Sequence, residues 1–221
     1  YGEIWLAGGQ SNMELELQNS KNGDIAVTEA HNELLRFYYT PKVSYFCDEL
    51  YEQEEKSCWE LCCPENVGRW SAVGYYFARK LAAQLDVPVG IIGCNWGGTS
   101  ASCWMSREAL ENDKVISSYV EEYDAIVAEQ DFDAYCKERE EYIVYQAEFD
   151  KNCKHYYETT PNPTWEGALE VCGENKYPGP MGPRSEYRPA GLYETMIQRI
   201  APYTLAGFLY YQGEEDDKKP R

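Results

Sequence analysis

The sequence has few of the residues that mark several common classes of site. It contains only two histidines, at positions 31 and 155, and no C-x-x-C pair among its nine cysteines. Zinc sites are usually built from histidines and cysteines at such short spacings, so no metal site is predicted. No apolar run approaches the roughly 18 residues that a membrane-spanning helix requires, and the chain does not open with a signal peptide.

Positive charge is also scarce, because 20 lysines and arginines face 38 aspartates and glutamates, which gives a net charge of −18. Such a surface repels phosphate backbones and anionic lipid headgroups, so neither nucleic acid nor a membrane is an expected partner. The irregular cysteine spacing favours reduced thiols in a reducing compartment such as the cytoplasm. Cys58, Cys62 and Cys63 form the one cluster, for which a metal site or a disulfide is the alternative interpretation.

The pattern of apolar residues predicts strands that alternate with helices in a single domain spanning residues 1–221. Strands are predicted at Glu3–Ala7, Leu34–Thr40, the buried run VPVGIIGCNWGG from residue 87, and Thr204–Glu214. One helix follows Ser71 with an apolar stripe, and another starts at Pro189 with its own apolar face. The stripe comprises Val73, Phe77, Leu81 and Leu85, and the face comprises Leu192, Met196, Ile197 and Ile200. This alternation is typical of an α/β domain with a mainly parallel sheet.

The remaining segments are predicted from composition. No glycine or proline occurs between Thr99 and Thr160, which predicts two or three acidic helices over about 107–158. Residues 48–60 hold six acidic residues against one lysine and are predicted to form a solvated loop. Residues 161–189 are rich in glycine and proline and are predicted to be an irregular loop, and the tail from residue 215 is predicted to fray.

Three of the predicted strands end in residues suited to acyl transfer. The strand ends are Gly8-Gly9-Gln10-Ser11-Asn12, Asn95-Trp96-Gly97-Gly98-Thr99 and Gln212-Gly213-Glu214. Carboxyl ends of parallel strands share one edge of the sheet, so we expect these groups to lie together. There Ser11 would supply a nucleophilic hydroxyl and an oxyanion-hole N–H. Gly98 N–H and the Gln212 amide would be the other two oxyanion donors.

Each motif has a simpler interpretation when it is taken alone. Ser11 could cap a helix beginning at the next residue, which is a common role for serine. Gly97-Gly98 could form a tight turn, and Gln212-Gly213-Glu214 could end a strand. The sequence around Ser11 also differs from the nucleophile elbow of α/β-hydrolases, which has glycine two places after the serine. The coincidence of the three motifs favours the functional interpretation.

The same residues resemble a known family. The segments IWLAGGQSNMEL, VGYYFARKLAAQLDVPVGIIGCNWGGTSASCWMS and RPAGLYETMIQRIAPYTLAGFLYYQGEEDD are similar to those of sialate O-acetylesterases, carbohydrate esterases of the SGNH (GDSL-like) superfamily. The resemblance covers residues 2–216 and implies a flavodoxin-like three-layer α/β/α sandwich. It implies that Ser11 is the nucleophile, that Gly98 and Gln212 belong to the oxyanion hole, and that no cofactor is needed. It implies a substrate of acetylated sugar, such as 9-O-acetyl sialic acid.

Three further residues of these motifs are candidates for supporting or substrate-binding roles. Gln10 and Asn12 flank Ser11, and Glu214 would orient Gln212 or contact the substrate.

The sequence departs from the family at the catalytic base. A serine needs an adjacent base to become a good nucleophile. The family supplies it as the histidine of an Asp-x-x-His motif that follows Tyr-Gln-Gly-Glu, whereas here neither His31 nor His155 occupies that position. We therefore expect the chain to be truncated, with an incomplete C-terminus. Two alternatives remain open, a non-catalytic module that binds acetylated glycans and an esterase of the same superfamily acting on another ester, such as acetylated xylan.

Overall fold

The computed structural model of the chain describes residues 2–218, with side chains through residue 216. Five strands form one sheet in the order β3-β2-β4-β1-β5. Their bounds are β1 Glu3–Gly9, β2 Asn32–Tyr39, β3 Glu60–Cys62, β4 Val89–Asn95 and β5 Gly207–Tyr211. All neighbouring pairs are parallel except β2 with β3. The predicted α/β architecture with a mainly parallel sheet is confirmed.

The helices are α1 Ser11–Glu14, α2 Gly23–Thr28, α3 Asp48–Lys56, α4 Pro64–Val67, α5 Ala72–Leu85, α6 Arg107–Glu111, α7 Ser117–Ala128, α8 Phe132–Thr159, α9 Trp165–Cys172 and α10 Gln198–Ile200. Three of these helices, α5, α7 and α8, have 12 or more residues, and the others have nine or fewer. A π-helical turn, Tyr193–Ile197, runs directly into α10. Three 3-10 turns lie at Leu17–Asn19, Ala101–Trp104 and Glu214–Lys218.

The sheet is covered by apolar layers on both faces because its central strands are apolar throughout. All seven residues of β4 are buried. Successive side chains of a strand point to opposite faces, so Ile91 packs in the cluster that includes α5, while Ile92 packs in the cluster that includes Met196 and Ile200. The result is a three-layer sandwich whose middle layer is the sheet.

The helix α5 begins where the sequence predicts and buries a different face. Ser71 is its N-cap, and the Ser71 hydroxyl accepts a hydrogen bond from Gly74 N–H at 3.1 Å. The predicted stripe is not the buried face of the helix, since Leu85 is 46% exposed. The fully buried positions are instead occupied by small residues and one aromatic residue. Those positions are Ala72, Gly74, Tyr75, Ala78 and Ala82. Small residues let the helix lie close to the sheet, and the larger members of the stripe pack at the border of the core.

Two segments predicted to be loops contain helices. Residues 48–56 form α3, because Leu50 is buried against the rest of the molecule and anchors an otherwise acidic segment. Residues 165–172 form α9, capped by Thr164 and anchored by the buried Ala168, so the prediction of an irregular loop over 161–189 is wrong there. The predicted fraying of the tail from residue 215 is wrong for residues 215–218, and residues 219–221 lie outside the described residues. Residues 214–218 form a 3-10 turn.

The chain divides into two compact units. The first comprises residues 1–121 together with 186–221 and contains the sheet, and the second comprises residues 122–185. Within the second unit, α8 and α9 pack through Phe149, Cys153 and Ala168. A single domain over the whole chain stays a prediction. No helix within residues 2–218 is long and apolar enough to cross a membrane.

Candidate active site

The three predicted strand ends meet at the carboxyl edge of the sheet. Gly9, the last residue of β1, is in register with Asn95 at the end of β4 and with Tyr211 at the end of β5. The segments that follow these three residues therefore emerge side by side. The parallel alignment brings Ser11, the residues after Asn95 and Gln212 to one edge, as the sequence predicts.

Ser11 is the first residue of α1 and is exposed to solvent. The cap position belongs to Gln10, and no side chain caps the helix, so the interpretation of Ser11 as an N-cap is wrong. Within the described part of the chain, the Ser11 hydroxyl makes no hydrogen bond. An exposed serine hydroxyl without a structural partner is available for chemistry.

The residues on either side of Ser11 are held by one carboxylate. Glu214 accepts a hydrogen bond from Gln10 Nε2 at 2.5 Å and from Asn12 Nδ2 at 2.8 Å. The side chain of Gln10 is almost completely buried, with 1% exposure. Glu214 thus ties both neighbours of Ser11 to the segment after β5. Glu214 is predicted to orient Gln212 or to contact the substrate, and in this structure its carboxylate contacts Gln10 and Asn12.

The segment after β4, residues 96–101, forms a loop beside Ser11 that we term the glycine loop. Trp96 N–H donates to Gly9 O at 3.0 Å and starts the loop against β1. A Cβ atom added to Gly97 would lie 3.6 Å from Ser11 Cβ, so the loop passes directly beside the serine. Gly98 has a φ of +76°, a conformation that favours glycine. The backbone of this loop therefore lies close to Ser11, as the predicted oxyanion hole requires.

Two carboxylates fix the glycine loop near its two ends. Glu14 Oε2, at the end of α1, accepts a hydrogen bond from Gly97 N–H at 2.5 Å. Asp216 Oδ1, after β5, accepts one from Ala101 N–H at 2.6 Å. The Gly97 N–H therefore donates to Glu14 in this structure, and the role of Gly98 as an oxyanion donor stays a prediction.

Gln212 also supports the glycine loop. Gln212 Nε2 donates to Thr99 O at 2.7 Å and to Asp216 Oδ2 at 2.9 Å. Both amide protons are therefore directed at protein acceptors in this structure. To donate to an oxyanion, Gln212 would have to release one of these two bonds, so that role stays a prediction.

Two nearby thiols are unsuited to be nucleophiles. Burial raises the pKa of the Cys94 thiol, on β4, to about 12 and that of the Cys103 thiol, after the glycine loop, to about 11. A thiol attacks as its thiolate, and these two thiols remain protonated at neutral pH. These two thiols are therefore poor candidates, and Ser11 stays the predicted nucleophile at this edge.

The two histidines lie elsewhere. His31 directly precedes β2, which runs parallel to β4, so His31 lies at the amino edge of the sheet, opposite Ser11. His155 belongs to α8 in the second unit. Within residues 2–218, no group of three or more His, Cys, Asp or Glu side chains could hold a metal ion, and all nine cysteines are free thiols.

Glu14 and Asp216 are site residues that the sequence reasoning missed. Their partners, Gly97 and Ala101, are 83 and 115 residues away along the chain, so no local pattern marks them. One signal was available for Glu14, because it lies three residues after Ser11 and such residues share one face of a helix.

The chain is similar to known proteins of one family. Residues 1–160 match the family model described as carbohydrate esterase, sialic acid-specific acetylesterase. The chain is 30% identical over 124 residues to the sialate O-acetylesterase of Rattus norvegicus and 29% identical over 119 residues to that of Homo sapiens. Each alignment covers 50% of this chain and 22% of the relative, so the matched region spans about a fifth of those proteins.

The fold also occurs among solved structures. The crystal structure of a carbohydrate acetylesterase from Xanthomonas citri superimposes with a TM-score of 0.57 at 24% identity. The superimposed region covers 97% of this chain and 33% of the Xanthomonas citri chain. The arrangement of strands and helices around the candidate site therefore occurs in a known protein.

Proposed function

The chain belongs to the sialic acid-specific acetylesterase family of carbohydrate esterases, and from this we propose that it is a serine esterase that removes O-acetyl groups from sugars. The observation that carries the proposal is the exposed Ser11 hydroxyl, which lies beside the glycine loop and has no partner among the described residues. A hydroxyl at the edge of a fixed backbone loop is the arrangement that acyl transfer requires.

In the proposed reaction, Ser11 Oγ attacks the acetyl carbonyl carbon and loses its proton to a base. The carbonyl oxygen becomes an oxyanion, which the N–H groups of Ser11 and Gly98 stabilise. The intermediate then collapses, the sugar hydroxyl leaves with a proton, and water hydrolyses the acetyl group from Ser11. Removing one oxyanion donor typically lowers turnover by about 10²–10³-fold, so the fixed geometry of the glycine loop matters for rate.

No residue of this sequence matches the catalytic base of the family. The family resemblance implies a histidine in an Asp-x-x-His motif, and no such motif occurs in the 221 residues. His31 lies at the opposite edge of the sheet. Tests of activity use the full-length gene product, so that any further sequence is included.

The substrate that we propose is a sialic acid O-acetyl ester. The family description and the names of the rat and human relatives support it. Two alternatives make different predictions. An esterase for acetylated xylan would prefer that polymer, and a binding module would bind acetylated sugars without releasing acetate.

The decisive test compares acetate release from 9-O-acetyl sialic acid by the complete wild-type protein and its Ser11→Ala variant. We expect the variant to lose at least about 10³-fold in kcat, because removal of a catalytic serine abolishes nucleophilic attack. Ser20→Ala is the matched control, since Ser20 donates to Leu17 O away from the glycine loop. Equal rates for wild type and Ser11→Ala would exclude Ser11 as the nucleophile.

A further inference from the structure

A cavity of about 350 Å³, with both polar and apolar surface in its walls, opens between the end of β2, α1 and α3. Its walls include Glu14, Tyr39, Lys42, Gln53 and Arg69. The volume is within the range of about 300–1,000 Å³ that is usual for small-molecule sites. Nothing in the proposed mechanism uses this cavity.

The cavity shares a wall with the candidate active site. Glu14 lines the cavity and lies one helical turn after Ser11. The same carboxylate accepts the hydrogen bond from Gly97 N–H through Oε2. Its other oxygen, Oε1, pairs with Lys42 Nζ across the cavity wall. A ligand in the cavity would therefore contact the same carboxylate that fixes the glycine loop.

The chemistry of the walls suits hydroxyl groups. Lys42 pairs with Glu14, and Arg69 pairs with Glu60, so the charge of each cation is already neutralised. The cavity therefore presents hydrogen-bond donors and acceptors to a ligand and little net charge. Tyr39 adds an aromatic ring, and its hydroxyl donates to Arg69 O at 2.9 Å. Burial, and then the Glu14 carboxylate, raise the pKa of Tyr39 far above its usual range, so the ring stays neutral. Paired charges and a neutral aromatic ring are suited to a hydroxylated ring such as a sugar.

We propose that this cavity is the subsite for the sugar that carries the acetyl ester, and that Lys42 and Glu14 bind its hydroxyl groups. Glu14 also acts as a positioning residue for the glycine loop through Gly97. Binding of the sugar is then linked to the geometry of the oxyanion site, because both depend on one carboxylate. The inference rests on the proposed function and assigns the residues that recognise the alcohol part of its substrate.

The first test uses Lys42→Met in the complete protein with two esters, 9-O-acetyl sialic acid and 4-nitrophenyl acetate. The small aryl ester has no sugar to place in the cavity. We expect the ratio of kcat/KM for the sugar ester to that for the aryl ester to fall about tenfold or more, mainly through KM, since hydrogen bonds to a charged group are lost. Lys56→Met is the control, because Lys56 lies on the exposed face of α3 and pairs with Glu52 there. An unchanged ratio in Lys42→Met would overturn the assignment of the subsite.

The second test separates the two roles of Glu14. Glu14→Gln keeps an acceptor for Gly97 N–H and removes the charge that pairs with Lys42, whereas Glu14→Ala removes both. We expect Glu14→Ala to lower kcat on both esters and Glu14→Gln to restore much of the kcat on the aryl ester while KM for the sugar ester stays high. Equal losses on the two esters in both variants would contradict the binding role.

Failure of the proposed function gives a different result from failure of the subsite. If the wild-type protein hydrolyses neither ester, the esterase proposal fails, and the subsite is then tested by calorimetric binding of free N-acetylneuraminic acid. Weaker binding to Lys42→Met than to Lys56→Met supports the subsite, and equal binding excludes it.

Discussion

Strands β4 and β5 both deliver residues to the candidate active site, and they are stabilised in opposite ways. All seven residues of β4 are buried between β1 and β2. On β5, Phe208 and Tyr210 are 69% and 63% exposed, and within residues 2–218 this strand pairs only with β1. The glycine loop therefore extends from a packed core, whereas the segment after β5 is held by the hydrogen bonds of Gln212, Glu214 and Asp216.

The largest effect should come from truncating a side chain of β4. Ile92 is completely buried, so Ile92→Ala should lower the free energy of unfolding by about 2–5 kcal/mol, through lost burial and the cavity left behind. Phe208→Ala, on β5, should cost less than about 1 kcal/mol because that side chain already contacts water. Urea unfolding of the two variants measures both values. Equal losses would show that β5 is as well packed as β4.

A smaller effect is expected from removing the polar support after β5. Asp216→Ala leaves Ala101 N–H and one Gln212 amide proton without their acceptor, which should cost about 1–3 kcal/mol. Hydrogen exchange should also become faster at the Ala101 amide. Glu33→Ala is the control, since the Glu33 carboxylate is exposed and makes no hydrogen bond within the described chain. Unchanged exchange at Ala101 would mean that Glu14 and Gln212 fix the loop without Asp216.

The smallest expected effect is a loss of stability at alkaline pH that comes from a buried thiol on β4. Burial raises the pKa of the Cys94 thiol to about 12, so the folded protein keeps a proton that the unfolded chain loses above about pH 8.5. Stability from this group is complete below that pH and falls as pH rises, by about 1 kcal/mol over the first pH unit. Urea unfolding of wild type and Cys94→Ala between pH 8 and 10 should show a shallower decrease in the variant. The exposed Cys58→Ala should keep the wild-type slope.

Much of the fold follows from the sequence because the sheet is coded by continuous apolar runs. The run after Pro88 predicts β4, and the helix after Ser71 is predicted by a cap that the structure contains. The acidic helix α3 escaped prediction because a single buried residue, Leu50, holds it, and one residue produces no periodic pattern. Tertiary packing decides such segments, and composition alone does not.

The candidate site is less completely coded. Ser11 and Gly98 lie in short motifs at strand ends, and parallel pairing brings them together as predicted. The carboxylates that hold the site act across long stretches of sequence, since Glu214 reaches Gln10 over 204 residues. Glu14, Lys42 and Asp216 look like ordinary surface charges until the fold places their partners beside them.

The second unit has a consequence for protein engineering. The chain leaves the first unit after Glu121 and returns at Glu186. Val120 and Ala190, just outside these two points, belong to one apolar cluster of the first unit. The positions on the first unit that flank residues 122–185 are therefore close together. We expect that a short linker or a reporter domain can replace this stretch while the sheet-bearing unit still folds.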